Sequence, residues 1–325
     1  MGDRGMSRRE FLAVSAAAGA GLVTLGRALA QGEATGDKSL VIRSRRADAF
    51  AGGEVPEATV TDMVNAVVRR LAGKDDGAEA WAQFVGPEDM VGIKVNCLFG
   101  YGASTHLAVV NAIVAGCQAA GVAPERIIIW DRTTGDMAKT GYPVNREGKG
   151  VRCYGTDGDY EANPTVMGTF NGRLSRLLTR TITALINVPI LKSHSISGVS
   201  ISMKNHYGSF HNPGDFHGNA CDPYMADINS VPAIRDKTRL IILDALFPVA
   251  HGGPRARPQY TWPYGGVLAA TDTVAVDFTG LQILEARRKE IGLQPIGNQA
   301  RHIATAAAKG LGTNDPARIE LVDLS

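Results

Sequence analysis

Three short runs constrain the fold most strongly: "RIIIWD", "TALINVPI" and "RLIILDAL". Each is apolar at successive positions, with no polar side to alternate against. A strand with one wet face alternates apolar and polar residues. An unbroken, β-branched run therefore needs cover on both faces, as in a parallel sheet packed between helices. Helical patterns separate these runs. In "TVTDMVNAVVRRLAG", Val60, Met63, Val64, Val67, Val68 and Leu71 fall at helical spacing, and Gly73 ends the helix. "THLAVVNAIVAGCQAAG" reads as a second amphipathic helix, closed by Gly121. "DTVAVDFTGLQILEARRKEIG" reads as a long helix capped by Asp272, and "NQARHIATAAAKGLG" as another. "MVGIKVN", "GVLAAT" and "RIELVDL" supply further strands. This alternation predicts a doubly wound, mainly parallel α/β sheet flanked by helices, with long loops over the crevice at the strands' carboxyl ends. Residues 31–325 read as a single α/β domain. Residues 132–180 are glycine-rich and less regular, and read as long loops or a small subdomain over the sheet.

The amino terminus follows other rules. "SRREFLAVSAAAGAGLVTLGRALA" has paired Arg8 and Arg9, then a mildly apolar run, then a small-x-small site at Ala28-Leu29-Ala30. The run from Phe11 to Leu25 is too short and too rich in Gly and Ala for a good spanning helix. Residues 1–30 therefore resemble a twin-arginine export signal. That implies the twin-arginine machinery as a partner, a periplasmic or secreted location, and no membrane span after cleavage. The four cysteines, Cys97, Cys117, Cys153 and Cys221, form no Cys-x-x-Cys pair. Zinc ribbons and iron–sulfur clusters are therefore not expected, and buried free thiols are favoured over disulfides. A net charge of +2 and 6% aromatic residues give no basic-aromatic surface that would call for nucleic acid. Neither Gly-x-Gly-x-x-Gly after the first strand nor a Walker loop is present, so no nucleotide cofactor is expected. No Gly-x-Ser-x-Gly occurs to mark a hydrolase nucleophile.

Polar residues gather where the strands end. Lys94 and Asn96 follow "VGI", Asp131 and Arg132 follow "RIIIW", Lys192 and His194 follow "LINVPIL", and Asp244 follows "LIIL". In an open parallel sheet these ends share one edge, where ligands bind. The strand ending at Pro189 would place Lys192, His194 and Ser195 in a strand-to-helix loop. Ser197–Tyr207 would form the helix that brings Lys204 and Asn205. A lysine at such a rim is a point charge with three donors and suits a carboxylate or phosphate, or else it is a surface lysine that snorkels. Beyond that helix, His206, His211 and His217 lie within twelve residues, on or beside a turn-rich loop that also carries Asp215. His211, Asp215 and His217 offer a two-histidine, one-carboxylate set for iron, zinc, copper or manganese, or else a solvated loop whose histidines cap turns. "HGGPRARPQY" adds Arg255, a bidentate anion donor, on a glycine-rich loop.

These blocks, "VGIKVN", "LINVPILKSHSISGVSISMKNHYG", "LIILDAL…HGGP" and "ATDTVAVD", resemble the domain-of-unknown-function 362 family over about residues 90–280. The resemblance implies an α/β fold with its site at Lys94, Asn96, Lys192, His194, Lys204, Asn205, Asp244, Asp272 and Asp277. Many relatives carry ferredoxin-like cysteine clusters, which this chain lacks. The expectation is an exported soluble enzyme acting on a small anionic molecule, by oxidoreductase or by lyase or hydrolase chemistry, with or without a divalent metal. Lys192, Lys204, His194 and Asp244 would be catalytic. Lys94, Asn96, Asn205 and Arg255 would bind substrate, and His206, His211, Asp215 and His217 would take the metal. The alternative is a non-catalytic periplasmic protein that captures a metal or an anion.

Overall fold

The computed structural model describes residues 38–53 and 55–324. The expected signal, residues 1–30, lies outside them. Twelve strands are described: β1 (Ser39–Arg45), β2 (Val91–Lys94), β3 (Ile127–Trp130), β4 (Arg152–Cys153), β5 (Thr165–Met167), β6 (Phe170–Gly172), β7 (Ala184–Asn187), β8 (Ile190–His194), β9 (Gly198–Ser200), β10 (Thr238–Val249), β11 (Gly266–Ala270) and β12 (Ile319–Leu324). The helices that matter here are α1 (Glu57–Ala72), α2 (Gly77–Trp81), α3 (Leu107–Ala119), α4 (Thr134–Lys139), α5 (Ser202–Asn205), α6 (Tyr224–Ser230), α7 (Pro232–Arg235), α8 (Thr273–Glu290) and α9 (His302–Ala308).

The main sheet runs β12-β1-β11-β10-β7-β2-β3-β4. Pairing is parallel throughout except at β11, which is antiparallel to both β1 and β10. Successive residues of the apolar runs face opposite ways, as the strand period requires. Ile128, Leu185, Ile241 and Leu243 enter a core with Val274, Leu284 and Ile303 of α8 and α9. Ile127, Ile129, Ile186 and Ile242 enter a second core with Val60, Val67 and Ile113 of α1 and α3. Unbroken apolarity thus reflects two packed faces, each buried isoleucine contributing about 1.5–3 kcal/mol. The mainly parallel α/β sheet is as expected. Gly73 closes α1 in the left-handed conformation, and Asp272 caps α8 by accepting from Val274 N and Ala275 N at 2.8 Å each. The four cysteines are buried and free. No helix among the described residues is long and apolar enough to cross a membrane.

Three local expectations need correction. The strand at "LINVPI" does not hand over to a loop. It ends at Asn187, and the chain steps past Val188 and Pro189, then resumes as β8, parallel to β10. Pro189 has no N–H for the ladder, but its carbonyl still accepts from Asp244 N at 2.9 Å. Lys192 and His194 therefore lie on a strand, not in a loop. The helix expected over Ser197–Tyr207 starts only at Ser202, with α-helical geometry over Ser202–Asn205 and a 3-10 turn over His206–Gly208. Gly198 adopts φ 72°, and Gly198–Ser200 turns back as β9 against β8, pairing His194 with Gly198. Finally, Asp244 is not at a strand end. β10 continues to Val249 because it carries β8 beyond the end of β7.

Candidate functional site

The chain leaves β2 toward β3 and β4 on one side, and returns through β7 and β10 on the other. The carboxyl ends of β2 and β7 therefore flank a topological switch point, where open α/β sheets bind ligands. Lys94, the last residue of β2, is fully buried. Its ammonium donates to Asp131 Oδ1 and to Val95 O, both at 2.7 Å. Asp131, just past β3, also accepts from Cys97 N at 2.6 Å and Arg132 N at 2.7 Å. This ion pair is internally neutral and tightly held. Gly208 lies against it, since a Cβ there would come within 2.6 Å of Asp131 Oδ1 and 2.7 Å of Lys94 Nζ.

Beside this pair runs a chain of amides. Lys192 Nζ donates to Asn96 Oδ1 and Ala103 O, both at 2.7 Å. Asn96 Nδ2 donates to Asn205 Oδ1 at 3.2 Å. Asn205 Nδ2 donates to Asn187 Oδ1 at 2.7 Å and to Lys94 O at 3.2 Å. Asn187 Nδ2 reaches Ser202 O and Ser202 Oγ, both at 3.0 Å. Asn187 was not picked out from sequence, because it reads as one polar interruption of a core strand. The network fixes α5, whose first amides, Ser202 N and Met203 N, donate to the buried Asp277 at 2.7 and 3.2 Å. Burial raises the Asp277 carboxyl to about 8.

From α5, Lys204 Nζ donates to His217 Nε2 at 3.0 Å and stands 3.2 Å from the Tyr207 ring centroid. His217 Nδ1 donates to Pro213 O at 2.9 Å, which leaves Nε2 as the acceptor. His194 stacks on His217 at 5.8 Å. Its Nδ1 accepts from Ile196 N and Ser197 N at 3.1 and 3.3 Å, so the neutral ring carries its proton on Nε2. Neither Lys192 nor Lys204 has a carboxylate partner among the described residues. Burial lowers Lys192 to about 7. Burial, with the Lys192 charge behind it, lowers Lys204 to about 7 as well. Burial, helped by Lys204 and other nearby cationic groups, takes His194 down to about 3.

The expected metal ligands do not converge. Among the described residues, no three or more His, Cys, Asp or Glu side chains are placed to hold a metal ion. His206 is buried against Ser209 Oγ (3.2 Å) and Asn187 Nδ2 (3.4 Å). His211 packs edge-on to Tyr160, Asp215 is exposed, and His217 serves Lys204. Arg255 is exposed on its loop, its guanidinium 4.9 Å from the Phe99 ring centroid. Asp244 is fully buried and belongs to a different histidine. Its Oδ2 accepts both His106 N and His106 Nδ1 at 2.7 Å, and its Oδ1 accepts Leu246 N at 3.1 Å. His302, on α9, is also buried, 4.0 Å from Asp277, and neither of its ring nitrogens has a hydrogen-bond partner.

Comparison with known proteins identifies a family but no activity. The family model described as domain of unknown function (DUF362) matches residues 91–282, which contain every residue of the site described above except His302. A crystal structure of a protein from Thermotoga maritima is similar at 10% sequence identity and a TM-score of 0.41, over 74% of this chain and 60% of that one. No curated protein matches the chain.

Proposed function

The chain belongs to the DUF362 family, and from that premise and the geometry above we propose that it is an exported enzyme acting on a small carboxylate or phosphate anion. One observation carries the reading: Lys192 and Lys204 are buried, 1% and 6% exposed, with neutral partners only, and the charge of Lys192 is felt at Lys204. A buried ammonium without a counter-charge is costly and sheds its proton instead. A bound anion supplies the missing charge to both. Lys94 contributes less, because Asp131 already neutralises it. It supports the edge on which Asn205 holds Asn96, and Asn96 in turn accepts from Lys192.

The proton positions assign roles. His194 stays neutral at physiological pH and offers its Nε2–H, so it acts as a hydrogen-bond donor to charge developing on the ligand rather than as a base. The His217–Lys204 pair can exchange a proton across 3.0 Å. His206, His211, Asp215 and His217 do not gather into one ligand set, so the roles here fall to the lysines and to His194 and His217.

Thermal unfolding with added malonate or inorganic phosphate tests the reading. The wild-type chain should gain several degrees, and Lys192→Met and Lys204→Met should each lose most of that gain. Equal gains in wild type and both variants would remove the lysines from the site. Uptake without turnover of any bound small acid would make the chain a binding protein. Export belongs to the same reading: replacing Arg8 and Arg9 with lysine should leave precursor in the cytoplasm, and normal export of that variant would sink the twin-arginine assignment.

A further inference from the structure

α8 leaves part of the sheet uncovered. On β1 the residues that face α8 are Ser39, Val41, Arg43 and Arg45, by the two-residue period of a strand. Ser39 Oγ donates to the α8 cap, Asp272 Oδ2, at 2.7 Å, and Val41 enters the core with α8. The next two positions on that face are arginines. On β12, Ile319 packs against the same core, but Leu321, the next residue on its face, is 40% exposed. α8 changes in step. Its stripe at Thr279, Ile283, Ala286, Arg287 and Glu290 begins buried and ends exposed and charged. Between these faces lies a cavity of about 380 Å³, lined also by Trp262 and Tyr264. A helix–sheet layer is ordinarily filled with apolar side chains. Here both faces turn polar together, so the opening is built into the sequence.

Three guanidiniums line the cavity, and they are not equivalent. Arg43 is paired with Asp323 and donates to the Tyr264 hydroxyl at 3.0 Å. Arg287 is paired with Glu290 at 2.9 Å. Arg45 has no carboxylate partner among the described residues. It lies on the Tyr264 ring, 4.5 Å from the centroid, and donates its Nε–H to Tyr264 O at 2.9 Å. Its two terminal nitrogens have no hydrogen-bond partner among the described residues. A guanidinium stacked on a ring keeps its N–H edge free, and that edge matches a carboxylate with two parallel hydrogen bonds. The rings have room for a third. Trp262 and Tyr264 stand at 74° with centroids 6.2 Å apart, a T-shaped pair that another ring can join by edge or face. Ile283, Ala286 and Leu321 add apolar surface.

We propose that this cavity binds an aromatic carboxylate, with Arg45 holding the carboxylate and the ring lying among Trp262, Tyr264 and Leu321. Its volume suits one small ligand. No residue of the cavity belongs to the lysine site, and its ligand is independent of the anion assigned there.

Calorimetric titration of the full chain with 2-naphthoate tests the site. Wild type should bind it saturably. 2-Naphthol, which lacks the carboxylate, and cyclohexanecarboxylate, which lacks the aromatic ring, should each bind about tenfold more weakly. Arg45→Gln should weaken 2-naphthoate by about tenfold, and Leu321→Glu, which sets a carboxylate in the cavity, should do the same. Lys192→Met should leave its binding unchanged. If one cavity variant fails to fold, the other decides. No binding by wild type at millimolar 2-naphthoate overturns the proposal. So does binding that Arg45→Gln and Leu321→Glu leave intact, or that Lys192→Met removes. Equal binding of 2-naphthol or of cyclohexanecarboxylate also overturns it.

Discussion

At the scale of single residues, the buried edge holds two kinds of lysine with opposite consequences. Lys94 has its charge met by Asp131 at 2.7 Å with both groups buried. Lys94→Met should strand that carboxylate and cost about 3–5 kcal/mol in urea unfolding, with much of the loss recovered in Lys94→Met, Asp131→Asn. Lys192 has no such partner. Unfolded, it binds a proton up to pH 10.4 or so; folded, it does so only below about 7. Between those values the unfolded chain holds the extra proton, so this group makes stability rise with pH from about 7 upward, and below 7 its full penalty persists. Lys192→Met should therefore flatten the rise in stability between pH 7 and 9 and should not destabilise the chain at pH 6. A steeper rise in the variant would contradict that. The lysines were legible in the sequence because they follow apolar runs. His106 was not: it opens a stretch patterned as a helix, and its partner Asp244 lies 138 positions away.

Among the elements, the apolar runs showed where strands lie but not how far they reach. β8 was hidden because Pro189 reads as a stop, whereas one missing N–H interrupts a ladder without ending it when the partner strand is long enough. β9 was hidden because "SGVSIS" carries no alternation strong enough to outweigh the helical spacing of Val199, Met203 and Tyr207. The antiparallel placement of β11 has no local signature at all, since neighbours in a sheet are chosen by connections. The β8 hairpin is also what seats the "HGGPRARPQY" loop. Ser195 N donates to Gly253 O at 3.1 Å, and Gly253 N donates to Ser193 Oγ at 3.2 Å. A Cβ on Gly253 would come within 1.9 Å of Ser193 O. Gly253→Ala should push the loop off β8 and cost about 1–3 kcal/mol in denaturant unfolding. An unchanged midpoint would show that the loop is not seated there.

For the whole molecule, packing helices on both sheet faces puts the strand-end polar groups in a dry edge, and that sets its response to acid. His194, His206 and His302 are each driven down to about 3, chiefly by burial. Unfolded, they would take up protons near 6.5. The unfolded chain thus binds more protons between those values, and stability should fall as pH drops from 6.5 toward 3. Asp277, raised to about 8, pulls the other way, its contribution declining as pH rises from about 4 to 8. Three histidines against one carboxyl leave a net acid loss, which the urea midpoint at pH 7 and pH 5 should show. His206→Gln should shrink that difference.

The proposed anion site rests on two buried lysines, Lys192 and Lys204, without a carboxylate partner among the described residues. Calorimetric titration of malonate or phosphate at pH 8, in buffers of differing ionisation enthalpy, tests it most directly. With both lysines lowered to about 7, they are mostly unprotonated near pH 8 in the free chain, and the proposed anion should restore their ammonium forms. Binding should come with net proton uptake, reduced in Lys192→Met and in Lys204→Met. Binding without proton uptake, or uptake that neither substitution changes, would contradict it.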